Sequence, residues 1–270
     1  MARNIVGAGG RGRRLHRYSE TLGRPAAREQ RLNHLLRRLL PFLILAFAAP
    51  SVSAAAPAKP AAAAAPAGKD WTKVATRTAS GTFVQGNPAA KVKLIEYLSF
   101  TCPHCAAFDA EGASPLAQRY IRTGLVSYEV RLALRDPFDL AASVLARCSG
   151  PVPFFAVKPA LFAAQSDWLQ KGYKWGQTAP KLDEMTEADA GKAIAAGAGL
   201  DTFFIKHGLP RERIDACLAN AEEQRSLSAA AQAIWTPDFP GTPLFEINGK
   251  RAEGVHDWAG LEARLKAALG

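Results

Sequence analysis

A chain of 270 residues that is 48% hydrophobic and 9% aromatic carries enough apolar side chains for a packed core, which excludes wholesale disorder. The formal net charge of +10 invites a nucleic-acid reading, but residues 1–54 hold ten Arg, no Lys and only Glu20 and Glu29, so residues 55–270 keep just +2. Charge confined to an arm that leads directly into an apolar run points to export, and no nucleic-acid partner is expected.

Arg37 and Arg38 precede the apolar run Leu39–Ala49, and Val52-Ser53-Ala54 supply small residues at cleavage spacing. Residues 1–54 are therefore expected to be a basic arm and signal peptide, and the mature chain periplasmic. An uncleaved membrane anchor is the other reading, although the run is shorter than the roughly 20 residues of a stable span. Gly7, Gly9 and Gly12 spell a dinucleotide-binding pattern, but only Asn4-Ile5-Val6 stand where a full strand is needed, and Arg residues follow where the helix should start. Residues 55–70, almost entirely Ala and Pro, form an extended linker, and folding begins near Trp71.

In the folded part, Lys91–Phe100 alternates charge with Val92, Leu94, Ile95, Tyr97 and Leu98, predicting a central strand buried on both faces. Thr101-Cys102-Pro103 then opens a helix, with Pro in the first turn, and Pro115 should break or kink it. Leu125–Leu134 alternates again and completes a βαβ unit over residues 71–135. Residues 136–234 turn Ala-rich at helical spacing, as in Ala141, Val144, Leu145, Cys148 and in Ile214, Cys217, Leu218, Ala221. Within residues 235–270, Pro243–Ile247 and Lys250–Val255 flank Asn248-Gly249, a hairpin signal, before a closing helix with Trp258, Leu261, Leu265 and Leu269 on one face. The expected fold class is α/β: a thioredoxin fold interrupted by a helical subdomain.

The chemistry-bearing run is Cys102-Pro103-His104-Cys105. Two cysteines separated by two residues at a helix start can close a disulfide, and the first sits where unpaired N–H groups and the helix dipole favour a thiolate. His104, between the sulfurs, adds a donor, and Cys105, one turn in, is the shielded partner. A zinc half-site would need a second pair close in sequence, whereas Cys148 and Cys217 stand alone on separate predicted helices, so no metal and no cofactor are expected. Cys148 and Cys217 each share an apolar helical face, leaving a structural disulfide or two separate core thiols, with the disulfide favoured in an oxidising compartment. Glu96 falls in the predicted buried strand, where a carboxylate is costly unless paired or used; an edge position facing solvent is the alternative.

Through Glu96-Tyr97-Leu98-Ser99-Phe100-Thr101-Cys102-Pro103-His104-Cys105 and Gly241-Thr242-Pro243, residues 80–270 resemble the DsbA-like family of bacterial disulfide oxidoreductases. The resemblance implies that Cys102 is the exposed nucleophile and Cys105 the resolving thiol, and that Glu96 accepts a proton near Cys105. It also implies that Pro243 is a cis-proline beside the disulfide and that the Thr242 backbone pairs with a substrate strand. The implied partners are unfolded or reduced substrate proteins and a quinone-linked, DsbB-like membrane oxidase that recharges the pair. Thr242 departs from the valine of the family's best-known oxidase and resembles the isomerase branch, so a disulfide isomerase or reductase stays open, as does a non-catalytic zinc- or peptide-binding domain. The aromatic stretch Phe154, Phe155, Phe162, Trp168, Tyr173 and Trp175 is expected in the core, while the family's client-binding surface would leave some rings exposed.

Overall fold

The computed structural model describes residues 68–270; the basic arm, the apolar run, the Gly7-Gly9-Gly12 pattern and most of the linker lie outside the described residues. Its strands are β1 (Ala75–Arg77), β2 (Phe83–Gly86), β3 (Val92–Leu98), β4 (Val126–Leu132), β5 (Leu244–Ile247) and β6 (Lys250–Arg251). They form one mixed sheet in the order β1-β2-β4-β3-β5-β6. The central place of β3 follows from its pairing with parallel β4, Val92 opposite Val126 through Leu98 opposite Leu132, and with antiparallel β5 on its other side. Only one face of β3 is fully buried, the one carrying Val92, Leu94, Glu96 and Leu98. Lys93 is exposed and Ile95 and Tyr97 are half-buried, so the expectation of burial on both faces holds for one alone. β1 and β2, which pair antiparallel and extend the sheet beyond β4, were not expected. They are three and four residues long, too short for alternation to stand out in the sequence.

Helix α1 (Pro103–Pro115) leaves β3 after four residues, Ser99 to Cys102. At Pro115, which has no N–H to give the α ladder, the winding changes and the chain continues as a π segment, Leu116–Ile121, instead of stopping. Residues 136–234 are helical as expected, in α2 (Pro137–Cys148), α3 (Pro151–Ala163), α4 (Gln165–Gly176), α5 (Glu187–Gly197), α6 (Leu200–Lys206), α7 (Arg211–Leu218) and α8 (Ala221–Ile234), and α9 (Trp258–Leu269) closes the chain. These helices share one core with the sheet. Phe154 of α3 meets Phe83 of β2 at 5.3 Å between ring centroids, and Phe162 meets Phe100 at 5.1 Å. Phe108 and Phe245, both buried, pin α1 to β5 at 4.6 Å, each buried side chain contributing about 1.5–3 kcal/mol. The β5–β6 turn uses Asn248 and Gly249 at φ of 51° and 76°, the left-handed pair that a two-residue hairpin requires. Leu261 and Leu265 anchor α9, with Trp258 and Leu269 half-buried at its margins. Among the described residues no helix is long and apolar enough to cross a membrane.

Candidate active site

β3 delivers the chain through Ser99-Phe100-Thr101 to the first turn of α1. Cys102 is the N-cap residue, in extended conformation, Pro103 is the first helical residue, and no side chain caps the helix. The free N–H groups of that turn are therefore available, and those of His104 and Cys105 point at the Cys102 sulfur. Both cysteines are free thiols. The Cys105 thiol donates to Cys102, and the Thr242 hydroxyl and the two N–H groups add to it; against the cost of burial, these donors bring the Cys102 thiol down to about 5. The Cys105 thiol is driven the other way, far above the ordinary range, by complete burial, by its bond to Cys102 and by the charge of Glu96, with only the Ser99 N–H opposing. One sulfur is thus built to be a thiolate and its neighbour to keep its proton.

The expected exposure of Cys102 is corrected: it is 3% accessible, because the chain before Pro243 covers it, with Sγ 3.2 Å from the Thr242 carbonyl. Exposure belongs to Pro103 and His104, and His104 reaches the sulfur through its backbone N–H. The Thr242–Pro243 peptide bond is cis, as the resemblance implied.

Glu96 is fully buried at the centre of the sheet, not at a solvent-facing edge. The Tyr128 phenol donates to its Oε2, while Oε1 has no partner among the described residues. Burial pushes the Glu96 carboxyl up, with the Lys158 charge and the Tyr128 hydrogen bond opposing. Lys158 of α3 and Asp109 of α1, both about 4% accessible, form a buried ion pair beside it. Burial lowers the proton affinity of Lys158, and the charges of Asp109 and Glu96 more than restore it. Lys158, Asp109 and Tyr128 were not singled out in the sequence, although two signals were there. Asp109 lies one helical turn beyond Cys105, and Lys158 is a lone charge in the apolar run Pro151–Ala163.

A second polar set holds the loop from behind. Asp139 of α2, fully buried, accepts from the Ser99 hydroxyl (2.5 Å), the Phe100 N–H (2.9 Å) and the Arg135 N–H (3.1 Å). The Thr101 hydroxyl donates to Asp136 at 2.7 Å, and the buried Gln165 amide donates to the carbonyls of Phe100 (2.8 Å) and Cys102 (2.9 Å). Cys148 and Cys217 are bonded, with Cα atoms 5.9 Å apart, tying α2 to α7. Of the aromatic stretch, Phe154, Phe155, Phe162 and Trp168 are buried, Trp175 is half-buried, and Tyr173 is 56% exposed against Phe138. A cavity of about 600 Å³ lies between α1 and α3, walled by Ala106, Ala110, Ala113, Phe155 and Phe162 with the Lys158–Asp109 pair in its lining.

Residues 78–267 match the family model described as Thioredoxin. A curated relative from Rickettsia bellii, provisionally named a protein-disulfide oxidoreductase, is 30% identical over 67% of this chain and 62% of its own length. The chain thus spans about three fifths of the length of the curated relatives it matches. The crystal structure of a protein-disulfide isomerase from Novosphingobium aromaticivorans superposes with a TM-score of 0.61 and 32% identity, over 69% of this chain and 96% of that one. Wolbachia pipientis α-DsbA1 shares the fold, with a TM-score of 0.55 and 20% identity over 69% and 90% of the two chains. With more than half its length inside the family model and the Cys102–Cys105 pair at the start of α1, this chain belongs to the thioredoxin family.

Proposed function

We propose that this chain is an exported thiol:disulfide oxidoreductase that introduces disulfides into substrate proteins through Cys102 and Cys105. The observation that carries the reading is the opposed ionisation of the two sulfurs, Cys102 down to about 5 and Cys105 far up, at the start of α1. Stabilising the Cys102 thiolate stabilises the reduced pair, which makes its disulfide an oxidant. The names of the Rickettsia relative and of the Novosphingobium structure support disulfide chemistry. The Cys148–Cys217 bond and the arm of residues 1–54 support an oxidising compartment outside the cytoplasm.

In the forward reaction the enzyme pair is a disulfide. A substrate thiolate attacks Cys102 Sγ, the Cys102–Cys105 bond breaks, and Cys105 leaves with the electron pair. Its high proton affinity calls for a proton, which Glu96, a buried carboxyl with its own proton affinity raised, is suited to give. A second substrate thiolate then attacks the substrate sulfur of the mixed disulfide and releases Cys102 as its stabilised thiolate, so the substrate leaves oxidised by two electrons. The recharging partner we propose is a quinone-linked, DsbB-like membrane oxidase. The clients are unfolded or reduced proteins, and the apolar walls between α1 and α3 beside the motif support such clients.

Isomerase or reductase work is the second reading, favoured by the Thr242 hydroxyl before Pro243 and by the name of the Novosphingobium protein, a protein-disulfide isomerase. Two measurements decide. Cys102→Ser should abolish oxidation of a dithiol peptide, and unchanged activity would overturn the enzymatic reading. Equilibration of the pair with glutathione should give a potential well above that of thioredoxin, and a thioredoxin-like value would transfer the reading to the reductase side.

A further inference from the structure

Asp139 lies outside the motif, yet its carboxylate holds both residues that separate β3 from Thr101 and Cys102. Its Oδ2 takes the Ser99 hydroxyl and its Oδ1 the Phe100 N–H. Ser99 is itself placed against the chemistry, since its backbone N–H points at the Cys105 sulfur and its carbonyl accepts the Cys102 N–H at 3.1 Å. Ser99 therefore joins Asp139 on one side to both cysteines on the other. Nothing at Ser99 can shift by a few tenths of an ångström without moving a donor on Cys105 or the N-cap of α1.

Resting on the proposed exchange reaction, we propose that Asp139 is a positioning residue for the Cys102–Cys105 pair, acting through Ser99 and Phe100. Three donors converge on the carboxylate, and a carboxylate supplies acceptors only. An uncharged side chain of the same shape would set an N–H₂ or O–H against one of those donors. The Ser99 N–H polarises the Cys105 thiol, and the Cys105 thiol is the first of the donors that hold the Cys102 thiolate. Loss of the anchor is thus felt at Cys102 by way of Cys105. Burial, with Asp136 one turn before it on the same helix adding to the effect, pushes the Asp139 carboxyl up to about 7 against the hydrogen bonds from Ser99, Phe100 and Arg135. The position is held at a cost that core packing alone would not require.

The test uses reduced full-length protein with Asp139→Asn and, separately, Ser99→Ala, which removes the hydroxyl link and keeps the Ser99 N–H. The thiolate absorbance of Cys102 is titrated, the thiol–disulfide equilibrium constant with glutathione is measured, and the thermal midpoint is recorded. One lost hydrogen bond of about 1 kcal/mol corresponds to an equilibrium constant about fivefold less oxidising and a Cys102 titration about half a unit higher or slightly more. Both shifts in Asp139→Asn, with a smaller shift of the same sign in Ser99→Ala, are expected. A fall in thermal midpoint with the Cys102 titration and the glutathione constant unchanged would overturn the proposal and leave Asp139 a packing residue. If Asp139→Asn does not fold, Ser99→Ala decides by the same two readings. Failure of the exchange reading is distinguishable, because wild-type protein would then oxidise no dithiol peptide while the thiolate titration and the thermal midpoint could still be compared between wild type and variants.

Discussion

Acidification should remove stability from the reduced protein at Cys102, by an amount the site geometry sets. The folded state binds the Cys102 proton with an affinity of about 5, against about 8.5 for an unperturbed thiol. A depressed acid contributes stability that is complete above its unfolded value and is lost as pH falls through its folded value. Between pH 7 and pH 4 the folded thiolate is protonated while the unfolded thiol is already neutral, so about two pH units of linkage disappear, about 2.7 kcal/mol at 1.36 kcal/mol per unit. The next two residues, Pro103 and His104, are exposed, and screening reduces the expectation to about 2 kcal/mol. The assay is denaturant unfolding of reduced wild type and reduced Cys102→Ser at pH 4, 5, 6, 7 and 8. Asp139, held near 7, titrates in both proteins and drops out of the difference, while Glu96, held up chiefly by burial and last by the Cys102 charge, drops out in large part. Wild type should lose about 2 kcal/mol relative to the variant between pH 7 and pH 4, most of it above pH 5. A difference that stays flat to within about 0.5 kcal/mol would refute the donor set assigned to Cys102.

Thr242→Val removes one donor and should raise the Cys102 titration by about half to one unit, read from thiolate absorbance, with the fold kept. Lys158→Met leaves Asp109 charged and buried without a partner and should cost about 3–5 kcal/mol in denaturant unfolding, much of it recovered by adding Asp109→Asn. Cys148→Ser with Cys217→Ser opens a link between residues 69 apart and should cost about 4 kcal/mol, while the Cys102 titration stays where it was. Glu96→Gln removes the proton donor for Cys105 and should slow single-turnover oxidation of a dithiol peptide by about a hundredfold, with the alkaline fall that Glu96 deprotonation gives the pH–rate profile lost.

Much of the site was legible in the sequence because its parts carry local signals. Pro103 at a helix start, the alternation of Val92 to Leu98 and the Asn248-Gly249 turn are each set within a few residues of chain. The pairing of Cys148 with Cys217 was legible for a different reason, two apolar helical faces in a chain expected to be exported. The electrostatics were less so. Asp109 and Lys158 are 49 residues apart and meet only because α3 lies along α1, a packing relation no periodicity encodes. The exposure of Cys102 was misjudged on the same ground, since the stretch that covers it, Gly241-Thr242-Pro243, arrives from 140 residues away. Asp139 was missed because a first-turn Asp behind an Asp136 N-cap looks like ordinary helix capping until Ser99 and Phe100 are seen on its other side.

The buried charges make chemical sense only when taken together. A carboxyl buried as deeply as Glu96 would be neutral if alone, and one bonded fully to Lys158 would be an anion with no use for a proton. Asp109 settles the matter by taking Lys158 as its own partner, so that the ammonium reaches Glu96 only through its field and leaves Oε1 without a hydrogen bond among the described residues. Glu96 is thereby left able to hold a proton near the sulfur that needs one. Cys102 is treated in the opposite way, with neutral donors in place of a cation: two N–H groups, a thiol and a hydroxyl, none of which forms an ion pair that a departing sulfur would have to break. On the proposed mechanism the two halves of the reaction place different demands on the site. The release of Cys102 from the mixed disulfide needs a sulfur whose charge is stabilised without being neutralised, and the departure of Cys105 needs a proton delivered inside the core. The fold meets the first at the start of α1 and the second at the centre of β3, which is why a run as short as Cys102-Pro103-His104-Cys105 depends on Asp109 of its own helix and on Glu96, Tyr128 and Lys158 from three other elements.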